Sequence, residues 1–147
     1  MFSTLIHFIS TSQLSALQSN LKSEERQYFL SLLNDLEDKI LKMPKPYETT
    51  EQGMDALVSL HYFKGGSDWY IVEKDSGNEQ LQAFGYACLN GNKINAEIGY
   101  INIEELIKYD VELDLYWTPT ALRNVIDKKH FTQEEACEKA YEATDFI

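Results

Sequence analysis

Four short apolar segments and the turns between them constrain this chain's fold more than any other feature of the sequence. The segments comprise residues 57–63, 69–73, 81–89 and 96–102. They are rich in aromatic and β-branched residues, which favour strands, and glycine or asparagine occurs in each turn between them. Connections this short join antiparallel neighbours and leave no room for a crossover helix, so the region predicts an antiparallel meander.

Helical patterns precede this region. After Ser23, a candidate N-cap, apolar residues recur at steps of three and four up to Met43, and Pro44 ends the pattern. A shorter helix capped by Thr11 or Ser12 comes before it. Residues 4–9 are compatible with either a strand or a short helix.

Mixed elements follow the meander. Asn102 is positioned to cap a short helix over 103–109, and a last strand is predicted over 113–117. Thr118 begins one C-terminal helix, and Thr132 caps another over 133–144.

These patterns predict an α+β protein with an antiparallel meander sheet of about five strands, an N-terminal helical hairpin and C-terminal helices. The 147 residues suffice for one domain. Its predicted parts are a helical extension (1–43), a sheet core (44–122) and a C-terminal helical extension (123–147).

The chain is strongly acidic, with 24 acidic and 13 basic residues and a formal net charge of −11. Residues 1–46 carry no net charge, so all of the excess lies downstream. Nucleic acids and anionic membranes repel such a chain, which argues against both as direct partners. A basic groove on another protein would attract it, although acidity also serves solubility alone.

Cysteine and histidine positions give no sign of a metal or redox site. Cys88 and Cys137 are far apart, which favours reduced thiols in a cytosolic protein, and Cys88 falls in a predicted strand as an inert core thiol. His7, His61 and His130 have no metal-ligand spacing. With no phosphate loop, signal peptide or apolar span in the sequence, we expect no cofactor and a cytoplasmic location.

Six elements between residues 41 and 122 resemble, in order and spacing, an uncharacterised family. The elements are 43–53, 61–63, 69–73, 84–86, 97–106 and 112–117. They include a Trp-x-x-x-Glu strand ending at Glu73 and a Gly-Tyr pair ending at Tyr100. The family is the one catalogued as domain of unknown function 2958. Two positions depart from its pattern: Leu113 replaces an arginine and Asn102 a serine.

The resemblance implies the kind of genetic element in which such a protein occurs, and it implies no particular chemical reaction. Members of this family resemble accessory proteins of plasmids, conjugative elements and phages, sometimes fused beside anti-restriction modules. No catalytic residues follow from the resemblance.

Carboxylates are the best candidates for a functional site. Glu73, Glu97, Glu112 and Asp114 fall in or beside different predicted strands, and Glu112 and Asp114 share a face because strand side chains alternate. If Glu73, Glu97 and Asp114 converge, they could form a divalent-metal or general acid–base site. The alternative is a solvated sheet face or a set of salt bridges.

Two functional hypotheses follow. The first is a non-catalytic mobile-element protein that inhibits a host defence complex, either a restriction enzyme or a CRISPR effector, through an acidic surface that imitates DNA phosphates. The alternative is a small enzyme with a carboxylate site. The predicted binding residues are Glu73, Glu97, Glu104, Glu105, Glu112, Asp114, Trp69, Tyr100 and Tyr116. We expect a monomer or homodimer in the bacterial host cell, with the helical hairpin as a candidate dimer contact.

Overall fold

The computed structural model describes residues 2–129. The predicted helix over 133–144, together with Cys137 and His130, lies outside them. Within the described range the strands are β1 Leu57–Val58, β2 Leu60–Lys64, β3 Ser67–Glu73, β4 Ala83–Cys88, β5 Glu97–Ile101, β6 Glu112–Leu113 and β7 Thr120–Ala121. The α-helices are α1 Thr11–Asn20, α2 Arg26–Leu41, α3 Ile103–Lys108 and α4 Leu122–Lys129. None of the helices between residues 2 and 129 is both long enough and apolar enough to cross a membrane.

Five of the strands form one antiparallel sheet in the order β5-β4-β3-β2-β6, which confirms the predicted α+β class. Strands β2 to β5 are the expected meander. Helix α3 then carries the chain to the opposite edge, where Leu113 of β6 pairs with Tyr62 of β2. Strands β1 and β7 form a separate two-stranded ladder.

Helices α1 and α2 cover one face of the sheet. Leu33, Leu36 and Ile40 of α2 are buried in one cluster with Leu60 and Tyr62 of β2. Full burial of each aliphatic side chain contributes about 2 kcal/mol to the stability of this layer. The N-terminal hairpin is therefore part of the main core and not an appendage to it.

The opposite face of the sheet carries a second core. Tyr70 and Val72 point to this side of β3, whereas Ile71 points to the first core, as strand alternation requires. Leu122 of α4 packs against the second core, and so does Cys88, which is a buried free thiol. The prediction of a core thiol at Cys88 is confirmed.

Several predicted element ends in the N-terminal part are wrong by a few residues. Helix α1 is capped by Ser10, whose Oγ accepts a hydrogen bond from the Gln13 amide (3.2 Å). Helix α2 begins at Arg26, and Ser23 lies in the preceding turn, where its hydroxyl accepts from the Glu25 amide. Residues 5–7 form a short 3₁₀ turn, which settles the open choice there.

In the C-terminal part, one predicted helix cap is confirmed, and two predicted element boundaries differ from the structure. Asn102 caps α3 as predicted, with its Oδ1 accepting from the Glu105 amide (2.9 Å). The last strand of the sheet, predicted over 113–117, stops at Leu113 because the chain turns at Asp114. Helix α4 begins after Ala121 instead of at Thr118, because β7 first pairs with β1.

Candidate functional site

A β-bulge in β3 decides the direction of Glu73. Ile71 pairs with Gly85, but the next pair in the ladder is Glu73 with Phe84, so Val72 is an extra residue on β3. Regular alternation would place Glu73 on the face of Ile71, beneath the N-terminal helices. The bulge turns it to the opposite face, beside Phe84. Gly85 is required here, since a Cβ at that position would overlap the Tyr70 carbonyl oxygen.

The Glu73 carboxylate holds a loop in place. Its Oε1 accepts a hydrogen bond from the Tyr47 amide (3.0 Å), and its Oε2 accepts from the Thr49 amide (3.0 Å) and the Thr49 hydroxyl (2.5 Å). Both Glu73 and Thr49 are 5% exposed. These bonds stabilise a turn in which Tyr47 has a φ of +70°, a conformation that costs energy for a residue with a side chain.

A cavity of about 410 Å³ lies between this loop and the sheet. Its walls come from the loop and the 3₁₀ helix Thr50–Asp55, from Val72, Phe84 and Ile98 on three strands, and from Leu122 of α4. Glu73 also lines the cavity, and among the described lining residues it is the one that carries a carboxylate. The volume of the cavity is within the usual range for small-ligand sites. Its apolar walls with a few polar groups are also typical of such sites.

Two tyrosines meet at the rim of the cavity. The hydroxyls of Tyr47 and Tyr100 are 3.0 Å apart, and the two residues are 74% and 58% exposed. The Tyr100 ring packs edge-on against Phe84, with centroids 6.1 Å apart. The hydrogen bond with Tyr47 raises the pKa of Tyr100, and the negative charge of Glu73 adds to the rise.

Residues from separate sequence elements thus converge on one cavity. Glu73 and Tyr100 were predicted as site residues, whereas Tyr47 and Phe84 were not. All four lie in the sequence elements that carry the family resemblance. Their occurrence in those elements was the sign in the sequence that they could share a site. Strand patterns alone do not reveal that the elements meet in space.

A second polar cluster lies on the same face of the sheet. His61 is placed between two carboxylates: its Nδ1 is 3.0 Å from Asp114 Oδ2, and its Nε2 is 2.8 Å from Asp68 Oδ1. The three side chains are 13% to 27% exposed. Because a carboxylate only accepts, both contacts are hydrogen bonds when the imidazole carries a proton on each nitrogen. Sequence reasoning identified Asp114 but missed Asp68 and His61 as its partners.

Aromatic rings surround His61. Its ring stacks on Tyr70 at 4.7 Å and 10°, and the Trp117 ring lies 5.1 Å away. The Trp117 indole donates to the Val58 carbonyl (3.0 Å), and Lys39 Nζ donates to the Trp117 carbonyl (3.2 Å). Burial lowers the pKa of Lys39, and the nearby Asp114 charge opposes that shift.

The other predicted carboxylates lie on the outside. Glu97 and Glu112 are exposed on the two edge strands, β5 and β6, and Glu104 and Glu105 are exposed on α3. Four strand spacings separate the two edges by about 19 Å. Within residues 2–129, none of these four side chains forms an ion pair or accepts a hydrogen bond.

The aromatic residues predicted as binding residues also divide into buried and exposed ones. Trp69 is partly buried against the first core, whereas Tyr116 is 64% exposed. A hydrogen bond with Tyr28 raises the pKa of Tyr116. Tyr100 and Tyr116 therefore remain accessible to a partner, and Trp69 serves mainly in packing.

The predicted convergence of Glu73, Glu97 and Asp114 is wrong. Glu97 shares its face of β5 with Ile101, which lies in the first core, and Glu73 and Asp114 are on the other side of the sheet. Glu73 lies three residues along β3 from Tyr70, the partner of His61, or about 10 Å away. Among the described residues, no group of three or more His, Cys, Asp or Glu side chains is arranged to hold a metal ion.

Comparison with known proteins gives no relative. No protein-family model, curated protein or solved structure matches the chain.

Proposed function

We propose that this protein is a non-catalytic binding protein of a phage or plasmid, which inhibits a host defence complex in the cytoplasm by direct contact through its acidic surface. The target would be a restriction enzyme or a CRISPR effector with a basic nucleic-acid groove. The observation that carries the proposal is a group of exposed carboxylates on the sheet edges and α3 that form no ion pair within residues 2–129. The set comprises Glu97, Glu104, Glu105 and Glu112.

Carboxylates of this kind are suited to an intermolecular role. They are exposed and have no partner among residues 2–129 to give up, so a basic surface attracts them at long range and guides association. Their positions are fixed by a packed sheet and a capped helix, which preserves the spacing of the charges. The net charge of −11 favours a basic target over nucleic acid itself, and the family resemblance supports the mobile-element setting.

The first test is affinity purification of the tagged protein from a host with active restriction and CRISPR systems. We expect one stoichiometric partner at low salt, with binding that weakens sharply as ionic strength rises, because the Debye length falls to about 3 Å at 1 M. Binding that is insensitive to salt would contradict phosphate mimicry.

Charge-neutralised variants locate the surface. The test variant combines Glu97→Gln, Glu104→Gln, Glu105→Gln and Glu112→Gln. The control variant combines Glu24→Gln, Glu25→Gln, Asp35→Asn and Glu79→Gln. All eight positions are exposed and both variants lose four charges, so both should fold. We expect the test variant to weaken binding at least about tenfold more than the control, and equal losses would contradict the assignment of the surface.

A further inference from the structure

The cavity beneath Tyr47 and Tyr100 has one feature that packing alone does not explain. Glu73 is 5% exposed and lines the cavity, yet the three hydrogen-bond donors that contact it within the described part of the chain are two amides and a hydroxyl. None of the ion pairs formed within residues 2–129 involves Glu73. Buried carboxylates are usually paired with a cation.

The carboxylate keeps capacity for another donor. Two carboxylate oxygens offer about four acceptor positions, and the Tyr47 and Thr49 groups use three. A donor in the cavity could therefore bind Glu73 without displacing the loop. A charged donor would gain most, because charge-assisted hydrogen bonds are stronger than neutral ones.

The rest of the cavity determines what such a donor must look like. The walls nearest to the sheet are apolar, with Val72, Phe84 and Ile98 among them, so the body of a ligand should be apolar as well. The rings of Phe84, Tyr47 and Tyr100 supply aromatic surface, which favours a cation in contact with its face.

We propose that this cavity binds an organic cation with an apolar body, and that Glu73 is its counter-ion. This goes beyond the proposed inhibition and does not depend on it, since the acidic residues tested there lie outside the cavity. The same chemistry is found in a free aryl- or alkylamine and in a lysine or arginine side chain of a bound protein.

The test is NMR titration of the full-length ¹⁵N-labelled chain with three probes of nearly equal shape. The probes are phenethylammonium, neutral 2-phenylethanol and anionic phenylacetate. We expect shifts at Val72, Phe84, Ile98 and Tyr100, with the cation binding about tenfold more tightly than the neutral alcohol. Equal affinity for the cation and the alcohol, or no shift at these residues with any cation tested, would overturn the proposal.

Matched variants separate charge in the cavity from charge elsewhere. Glu73→Gln should abolish the preference for the cation, whereas Glu97→Gln removes the same charge from the other face of the sheet and should change affinity less than about twofold. If Glu73→Gln does not fold, Tyr100→Leu serves instead, because Tyr100 is exposed; it should reduce the cation preference about threefold. An undiminished cation preference in folded Glu73→Gln, or in Tyr100→Leu where only that variant folds, would overturn the proposed site.

A second arm distinguishes the two sources of the cation. Capped lysine and capped arginine are titrated beside phenethylammonium. Tighter binding of the capped residues points to a side chain of a protein partner, and tighter binding of the amine points to a small molecule. Either order supports the cation site.

Discussion

Glu73 and Asp114 are both carboxylates on the same face of one sheet, but the protein satisfies them in different ways. Glu73 accepts hydrogen bonds from neutral groups of one loop and faces a cavity. Asp114 shares His61 with Asp68 and thereby joins β2, β3 and the turn after β6. The first arrangement shapes the backbone and keeps its charge available, whereas the second arrangement uses the charge to join strands. This difference makes Glu73 the better candidate for a ligand site and His61 the better candidate for a structural one.

The largest effect is expected from Glu73→Ala. The change leaves three donors of Tyr47 and Thr49 without their acceptor, and each lost bond costs about 1 kcal/mol. The free energy of unfolding in urea should fall by about 3 kcal/mol. Glu97→Ala, an exposed change on β5, should stay within about 0.5 kcal/mol of the wild type. A loss below about 1 kcal/mol for Glu73→Ala would mean that the loop does not depend on this carboxylate.

His61→Ala should have the next largest effect. It removes the group between Asp68 and Asp114 and the ring stacked on Tyr70, for a loss of about 2 kcal/mol in the free energy of unfolding at neutral pH. A double-mutant cycle with Asp114→Asn should give a coupling energy of about 1 kcal/mol. Additive losses would show that His61 contributes only by packing.

Trp117→Phe is expected to cost about 1 kcal/mol, because phenylalanine keeps most of the apolar contact but loses the hydrogen bond to the Val58 carbonyl. The ring next to His61 also changes shape. Chemical denaturation measures the loss, and the His61 ring signals in ¹⁵N NMR should shift. Unchanged His61 signals would contradict the contact between the two rings.

The smallest effect on stability is expected from Tyr47→Phe, at most about 0.5 kcal/mol, because the hydroxyl pair at the cavity rim is exposed. The pKa of Tyr100 should nevertheless fall toward its ordinary value, since the bond with Tyr47 is the main cause of its rise. Tyr100 would then ionise at lower pH, as followed by ¹³C NMR of the tyrosine rings. Tyr28→Phe is the matched control: it should lower the pKa of Tyr116 and leave Tyr100 unchanged.

Local patterns predicted much of this fold. The turn residues placed the strands of the meander, and Asn102 caps α3 as expected. Alternation put Glu112 and Asp114 on one face, and they lie beside Phe63 and His61 of β2. The turns, the cap and the alternation each depend on residues that are close in sequence, so a reading of the sequence can find them, whereas the neighbours on β2 depend on a distant strand pairing.

Features that depend on distant residues were not predicted. The Asp68–His61–Asp114 cluster needs the pairing of β2 with both β3 and β6. The cavity needs a loop, three strands and α4 to meet. Helix α4 starts at Leu122 and not at Thr118 for the same reason: pairing of β7 with β1 prevailed over the capping preference of Thr118.

The bulge at Val72 has a consequence for how related sequences are compared. One extra residue in β3 separates the face of Ile71 from the face of Glu73. A homologue that lacks this residue could keep the glutamate at the end of the strand and still direct it beneath the N-terminal helices. Identity at this alignment column would then conceal opposite side-chain directions. For this position a single deletion would be a larger evolutionary step than a substitution, because it moves the carboxylate to the other side of the sheet.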